Sequence, residues 1–169
     1  MANTVFPTKG NLIAVKKSLE LAKLGYDLLD RKRNILIREM MLLMEKAKAL
    51  HGEVETTYQE AYLALQRANI TLGVIEDIAR ATSIENGIHI AYRSVMGVDI
   101  PEVTLESTTT DAQYGFYSAN SQFDLAYLSF NRAKRLTVIL AEVENSVYRL
   151  ADAIKKTQRR ANALKNINI

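Results

Sequence analysis

The sequence predicts a mainly α protein: a long antiparallel two-helix coiled coil with a small head, containing a β-hairpin and a short helix, where the chain reverses. Three observations predict it. Apolar residues recur at gaps of three and four across residues 12–75, the signature of a coiled-coil seam. The period changes to two between Ile88 and Leu105, as strands require. A second three-and-four pattern then fills residues 136–164. Two long helices joined by a short segment pair most simply as an antiparallel hairpin.

The first coiled-coil helix is expected over residues 8–80. Thr8 follows Pro7 and can cap it through its hydroxyl. Leu12, Val15, Leu19, Ala22, Tyr26, Leu29, Arg33, Leu36, Met40, Leu43, Ala47, Leu50 and Val54 then alternate gaps of three and four, with Arg33 alone polar. A further gap of four continues the seam through Tyr58, Ala61, Leu65, Ala68, Leu72 and Ile75, which predicts a stutter that locally unwinds the supercoil. Such a helix is about 110 Å long, more than a compact domain of this size can enclose. Gly25 lies beside Ala22, where a small residue lets a second backbone come close, and Gly73 is expected to mark a break.

The head is expected over residues 81–118. Ile88, Ile90 and Tyr92 share one parity, and Val98 and Ile100 follow after Gly97, so a hairpin over about residues 88–105 is the natural reading. Beyond Pro101 the apolar parity shifts to Val103 and Leu105, which predicts a bulge or an edge position where the missing N–H does no harm. Thr108–Gln113 reads as a polar loop. The second coiled-coil helix, residues 119–169, carries Leu136, Ile139, Val143, Val147, Leu150, Ile154, Ala161 and Leu164 on its seam. It is shorter than the first, so Leu12 to Tyr26 hold a prepared seam with nothing in the chain to cover it. The final stretch KKTQRRANALKNINI ends without a glycine or proline stop.

Composition excludes several function classes. The 169 residues include no Cys, no Trp and two prolines. Disulfides, thiolate metal sites and thiol nucleophiles are therefore absent. No window approaches the roughly eighteen apolar residues of a membrane span, and MANTVFPTKGN lacks a leader pattern, so a cytoplasmic protein is expected. Asn69-Ile70-Thr71 matches a glycosylation pattern, but it falls within the expected helix and carries no weight.

The net charge of +3 is segregated. Residues 9–48 hold ten basic and five acidic side chains, residues 49–118 three and ten, and residues 119–169 nine and four. With the two ends side by side the molecule has a positive shaft and a negative head, which select different partners. Catalytic signatures are missing: there is no phosphate-cradling glycine loop and no nucleophile elbow. His51 and His89 lack spaced partners, and Glu142 and Glu144 read as a solvent-facing helix surface. An enzyme with its own active site, a cofactor or a metal is not expected. The basic runs Arg31-Lys32-Arg33 and Arg159-Arg160 could meet phosphates, but no stacking aromatics are interleaved with them, which argues against single-stranded nucleic acid.

Three stretches carry a resemblance. PTKGNLIAVKKSLELAKLGYDLLDRKRNIL, YGFYSANSQFDLAYLSF and TQRRANAL resemble, in order and spacing, the D subunit of the V-type and A-type rotary ATPases, their central-stalk rotor component. The resemblance implies a non-catalytic rotor axle. Its paired helices would insert into a hexamer of catalytic and non-catalytic subunits. Its lower part would bind the small F subunit of the stalk and rest on a cap subunit above the membrane ring. It implies one copy per complex, no cofactor, no nucleic acid and no direct membrane span, with the protein cytoplasmic and peripheral to the membrane. Arg31, Lys32, Arg33, Arg159 and Arg160 become candidate hexamer contacts. Ile88, Ile90, Tyr92, Val98, Ile100, Val103, Leu105 and Tyr114 become candidate stalk-partner contacts. In the family the chain continues past the match to Ala161–Leu164, so the second helix reads as truncated, with a shaft tip expected to fray or self-associate. Two other readings compete: a coiled-coil tether or scaffold binding a partner through its head, and an F-type axle, which would usually carry a larger α/β domain between its helices.

Overall fold

The computed structural model describes residues 6–82, 84–106, 112 and 114–168. Helix α1 spans Lys9–Leu72 and helix α3 spans Ser121–Asn168. Between them come a one-turn helix α2, Glu76–Ala79, strands β1, Ile88–Val95, and β2, Val98–Leu105, and a 3-10 turn at Phe116–Ser118. The Thr108–Gln113 loop lies outside the described residues except for Ala112.

Thr8 caps α1 as its hydroxyl predicts, accepting from the Asn11 N–H at 3.3 Å. The helix ends at Gly73, whose φ of 77° and ψ of −158° fall where only glycine sits comfortably, so the expected break is real. Asn120 starts α3 by accepting from the Phe123 N–H at 3.0 Å and donates to the Thr71 hydroxyl at 2.9 Å, tying the start of one long helix to the end of the other.

The shaft is the α1–α3 pair, and its seam differs from the expected one in two places. Thr57 and Ala64 are buried while Tyr58 and Leu65 are only half-buried, so the gaps of three and four continue through Thr57, Ala61, Ala64 and Ala68 without a stutter. A threonine is invisible to an apolar count, but Thr57 satisfies its hydroxyl on the Glu53 carbonyl at 2.7 Å and buries like an alanine. On α3, Leu140 takes the seam position and Ile139 is 39% exposed. Val143, Leu150 and Ala161 are buried as expected, with Leu136, Val147, Ile154 and Leu164 less completely covered. Arg33, the polar interruption, donates to the Gln158 side chain at 2.7 Å across the pair and to Asp30 at 2.6 Å. A satisfied polar pair in a seam fixes the register of the two helices.

One cluster holds the hairpin along the middle of the shaft, which differs from the expected head at the chain reversal, and another closes the lower end. Leu36 from α1, Leu150 from α3 and Ile100 from β2 meet with no more than 1% exposure each. Full burial of one such side chain contributes about 2 kcal/mol. At the lower end Ala68, Ile75, Tyr114 and Phe123 form the second core, with Tyr127 edge-on to Tyr114. Above Ala22 and Gly25, where Leu164 packs 3.5 Å from the space a Gly25 side chain would occupy, α1 continues as helix up to Lys9. There Leu12, Ile13 and Val15 are each more than half exposed, and Leu19 is half-buried.

The hairpin turn is Met96-Gly97, both with positive φ, 51° and 74°. A two-residue turn of that hand matches the strand twist but strains a non-glycine residue. Met96→Asn is therefore expected to raise stability by about 1 kcal/mol, measured as a shift in denaturant midpoint with an unchanged slope.

Candidate functional site

The ladder from Ile88↔Leu105 to Val95↔Val98 has no bulge, so the parity shift after Pro101 has another cause. Val98 and Ile100 pack toward the shaft, while Val103 and Leu105 lie on the opposite face of the same strand. The Glu106 N–H bonds to the Gly87 carbonyl, which fixes even-numbered residues of β2 as the inward-bonding ones. Odd-numbered residues of β2 thus point their backbone groups outward, and Pro101 occupies an outward position where its missing N–H breaks no rung.

That outward edge of β2 lies against α3. Glu142 accepts from the Val103 N–H at 2.8 Å and Arg149 donates to the Asp99 carbonyl at 3.1 Å, while the Ser146 hydroxyl, which donates to the Glu142 carbonyl at 2.8 Å, lies 3.5 Å from the Pro101 carbonyl. Residues 142, 146 and 149 follow helical spacing on one face, so a single stripe of α3 covers this edge and engages the Val103 N–H and the Asp99 carbonyl. Glu142 is thus a structural acceptor rather than a member of a solvent-facing acidic surface. Glu144 instead sits 2.9 Å from His51 of α1. Beside that pair an open apolar groove of about 520 Å³ is lined by Met44, Ala47, Val147, Tyr148 and Ala151.

The hairpin residues divide by strand. Ile88, Ile90 and Tyr92 of β1 are 47%, 58% and 59% exposed, an available apolar row. Val98, Val103 and Leu105 are half-buried. Of the expected contact set, Ile100 and Tyr114 are buried inside the chain's own cores. Tyr114 also donates to Asp124 at 2.5 Å, and burial first, then that carboxylate, push its phenol pKa well up. Tyr92 is covered on one side by the Arg149 guanidinium, 5.1 Å from the ring centre.

The basic residues gather at one height on the shaft, because the Arg33–Gln158 bond brings the Arg31 turn beside the Arg159 turn. Arg31, Arg159 and Arg160 are exposed and enter no ion pair among the described residues. Arg38 and Lys155, which the sequence reading passed over, are exposed on the same stretch of the shaft. Arg33 is half-buried and occupied by Gln158 and Asp30, and half-buried Lys32 extends its ammonium to the hairpin turn, 3.9 Å from the position of a side chain on Gly97. Of the five expected basic residues, Arg31, Arg159 and Arg160 are thus the exposed ones.

Fold and surface together define a class: an elongated coiled-coil subunit, with exposed basic residues on its shaft and a hairpin laid along it, suited to a place in a larger assembly. The family model for the ATP synthase D subunit matches residues 11–169. The V-type ATP synthase D subunit of Thermotoga neapolitana is 46% identical over 168 residues, covering 98% of this chain and 83% of that protein. The A-type ATP synthase D subunit of Thermococcus kodakarensis is 36% identical over 170 residues, covering 98% and 79%, and that of Pyrococcus abyssi is 35% identical over 168 residues, covering 96% and 78%. The chain belongs to the D-subunit family of the V/A-type ATP synthases. No described helix is long and apolar enough to cross a membrane.

Proposed function

We propose that this chain is the central-stalk axle of its rotary ATPase, a non-catalytic cytoplasmic component that transmits torque between the catalytic hexamer and the membrane sector. The observation that carries this reading is the shaft: two helices of 64 and 48 residues in one antiparallel pair, locked in register by Arg33 and Gln158. Continuous seam packing resists twisting, which an axle needs.

The exposed cations of the collar, Arg31, Arg159 and Arg160, face the catalytic and non-catalytic subunits of the ring. Their contacts are long-range and screened by salt, so they can hold a moving part without trapping it in one position. The hairpin row Ile88, Ile90 and Tyr92 meets the stalk partners, the small F subunit and the cap subunit. A single asymmetric axle in a threefold ring makes the three catalytic sites inequivalent, and their ordered closure turns it.

The experiment is a pull-down of tagged full chain from its native lysate, with subunit stoichiometry counted by mass spectrometry. One copy per hexamer, with the stalk subunits present, is the expected result. Recovery as a symmetric oligomer without hexamer subunits would overturn the reading.

A further inference from the structure

The hairpin closes one edge and leaves the other open. Helix α3 covers the outward edge of β2, where Glu142 and Arg149 engage the Val103 N–H and the Asp99 carbonyl and Pro101 has no N–H to offer, whereas the register places the outward backbone groups of β1 at Ile88, Ile90, Tyr92 and Ser94, and no hydrogen bond to them occurs among the described residues. The side chains of the first three are the exposed apolar row. Proteins usually blunt such an edge with proline, an inward charge or a bulge, and β1 carries none of these between Ile88 and Tyr92. An edge left with free donors and acceptors and an apolar row fits one geometry best, another strand.

We propose that a stalk partner docks by adding an extended segment to the free edge of β1, pairing with Ile88, Ile90 and Tyr92. The inference rests on the reading of this hairpin as a partner surface and specifies how the partner is held. Charge defines the occupant further. Residues 76–106 carry six acidic and two basic side chains. Glu102 and Glu106 are exposed on the hairpin and just beyond it. The complementary segment is apolar at alternate positions and flanked by lysine or arginine. A second copy of this chain is disfavoured because it would set two acidic heads edge to edge.

The test measures hydrogen exchange at single-amide resolution in the full chain, alone and assembled with the small stalk subunit and the cap subunit. Strand addition slows the outward amides of Ile88, Ile90, Tyr92 and Ser94 by about tenfold or more and leaves the inward amides of His89, Ala91 and Arg93 unchanged. In parallel, Ile90→Pro removes one outward N–H at a position equivalent to that of Pro101 and is expected to weaken assembly about tenfold, while Ile90→Thr keeps the N–H and stays near wild type. Far-ultraviolet dichroism and melting of the isolated variants check that each remains folded. Equal weakening by both variants without alternating protection would overturn strand addition but keep the hairpin as a partner face. No change in exchange and no loss in either variant would overturn both.

Discussion

Leu150→Ala is expected to destabilise the chain by about 3 kcal/mol and to loosen the head from the shaft. Leu150 is fully buried and clusters with Leu36 of α1 and Ile100 of β2, so its removal leaves a cavity lined by three elements. A long helix pair cannot easily collapse to fill such a space without shifting its register, which Arg33 and Gln158 oppose. Denaturant unfolding measures the loss, and faster amide exchange in β2 locates it. Ile139→Ala is the internal contrast. Ile139 occupies a position that spacing alone assigns to the seam, yet it is 39% exposed, so its truncation should cost less than about 1 kcal/mol. Equal losses at the two positions would contradict the observed seam.

Reversing the collar, with Arg31, Arg159 and Arg160 each changed to Glu, is expected to weaken binding to the catalytic hexamer about a hundredfold at low salt and by much less at high salt. None of the three enters an ion pair within the described chain, so the isolated variant should melt like the wild type. Binding isotherms at two ionic strengths check both points. Unchanged affinity would remove the collar from the interface.

The architecture was legible because a coiled coil writes itself in spacing. Leu36, Met40, Leu43 and Leu50 recur at gaps that allow only one face, and the switch to period two at Ile88 announces the hairpin. What the spacing missed has physical reasons. Thr57 hides in the seam because its hydroxyl bonds its own helix, and Leu140 and Ile139 are adjacent, so an apolar pattern alone cannot choose between them.

The candidate site was less legible than the fold. Apolar hairpin residues look alike in sequence, but Ile100 is consumed by the shaft while Ile90 is left outside. Glu142 looked like a solvated acid because its partner, the Val103 N–H, is a backbone group thirty-nine residues away that no side-chain motif reports. Arg33 reads as part of a basic run, yet its bond to Gln158 spans 125 residues and draws it into the shaft.

The most direct measurement of the axle role uses the absence of cysteine in this chain. Arg160→Cys supplies one thiol on the shaft, and a second is placed on the facing loop of a catalytic subunit in the assembled complex. If the chain is the rotor, oxidation should stop ATP turnover in proportion to disulfide formed, and reduction should restore it. Full turnover with the disulfide quantitatively formed would show that this shaft need not move relative to the ring, and would contradict the rotor reading.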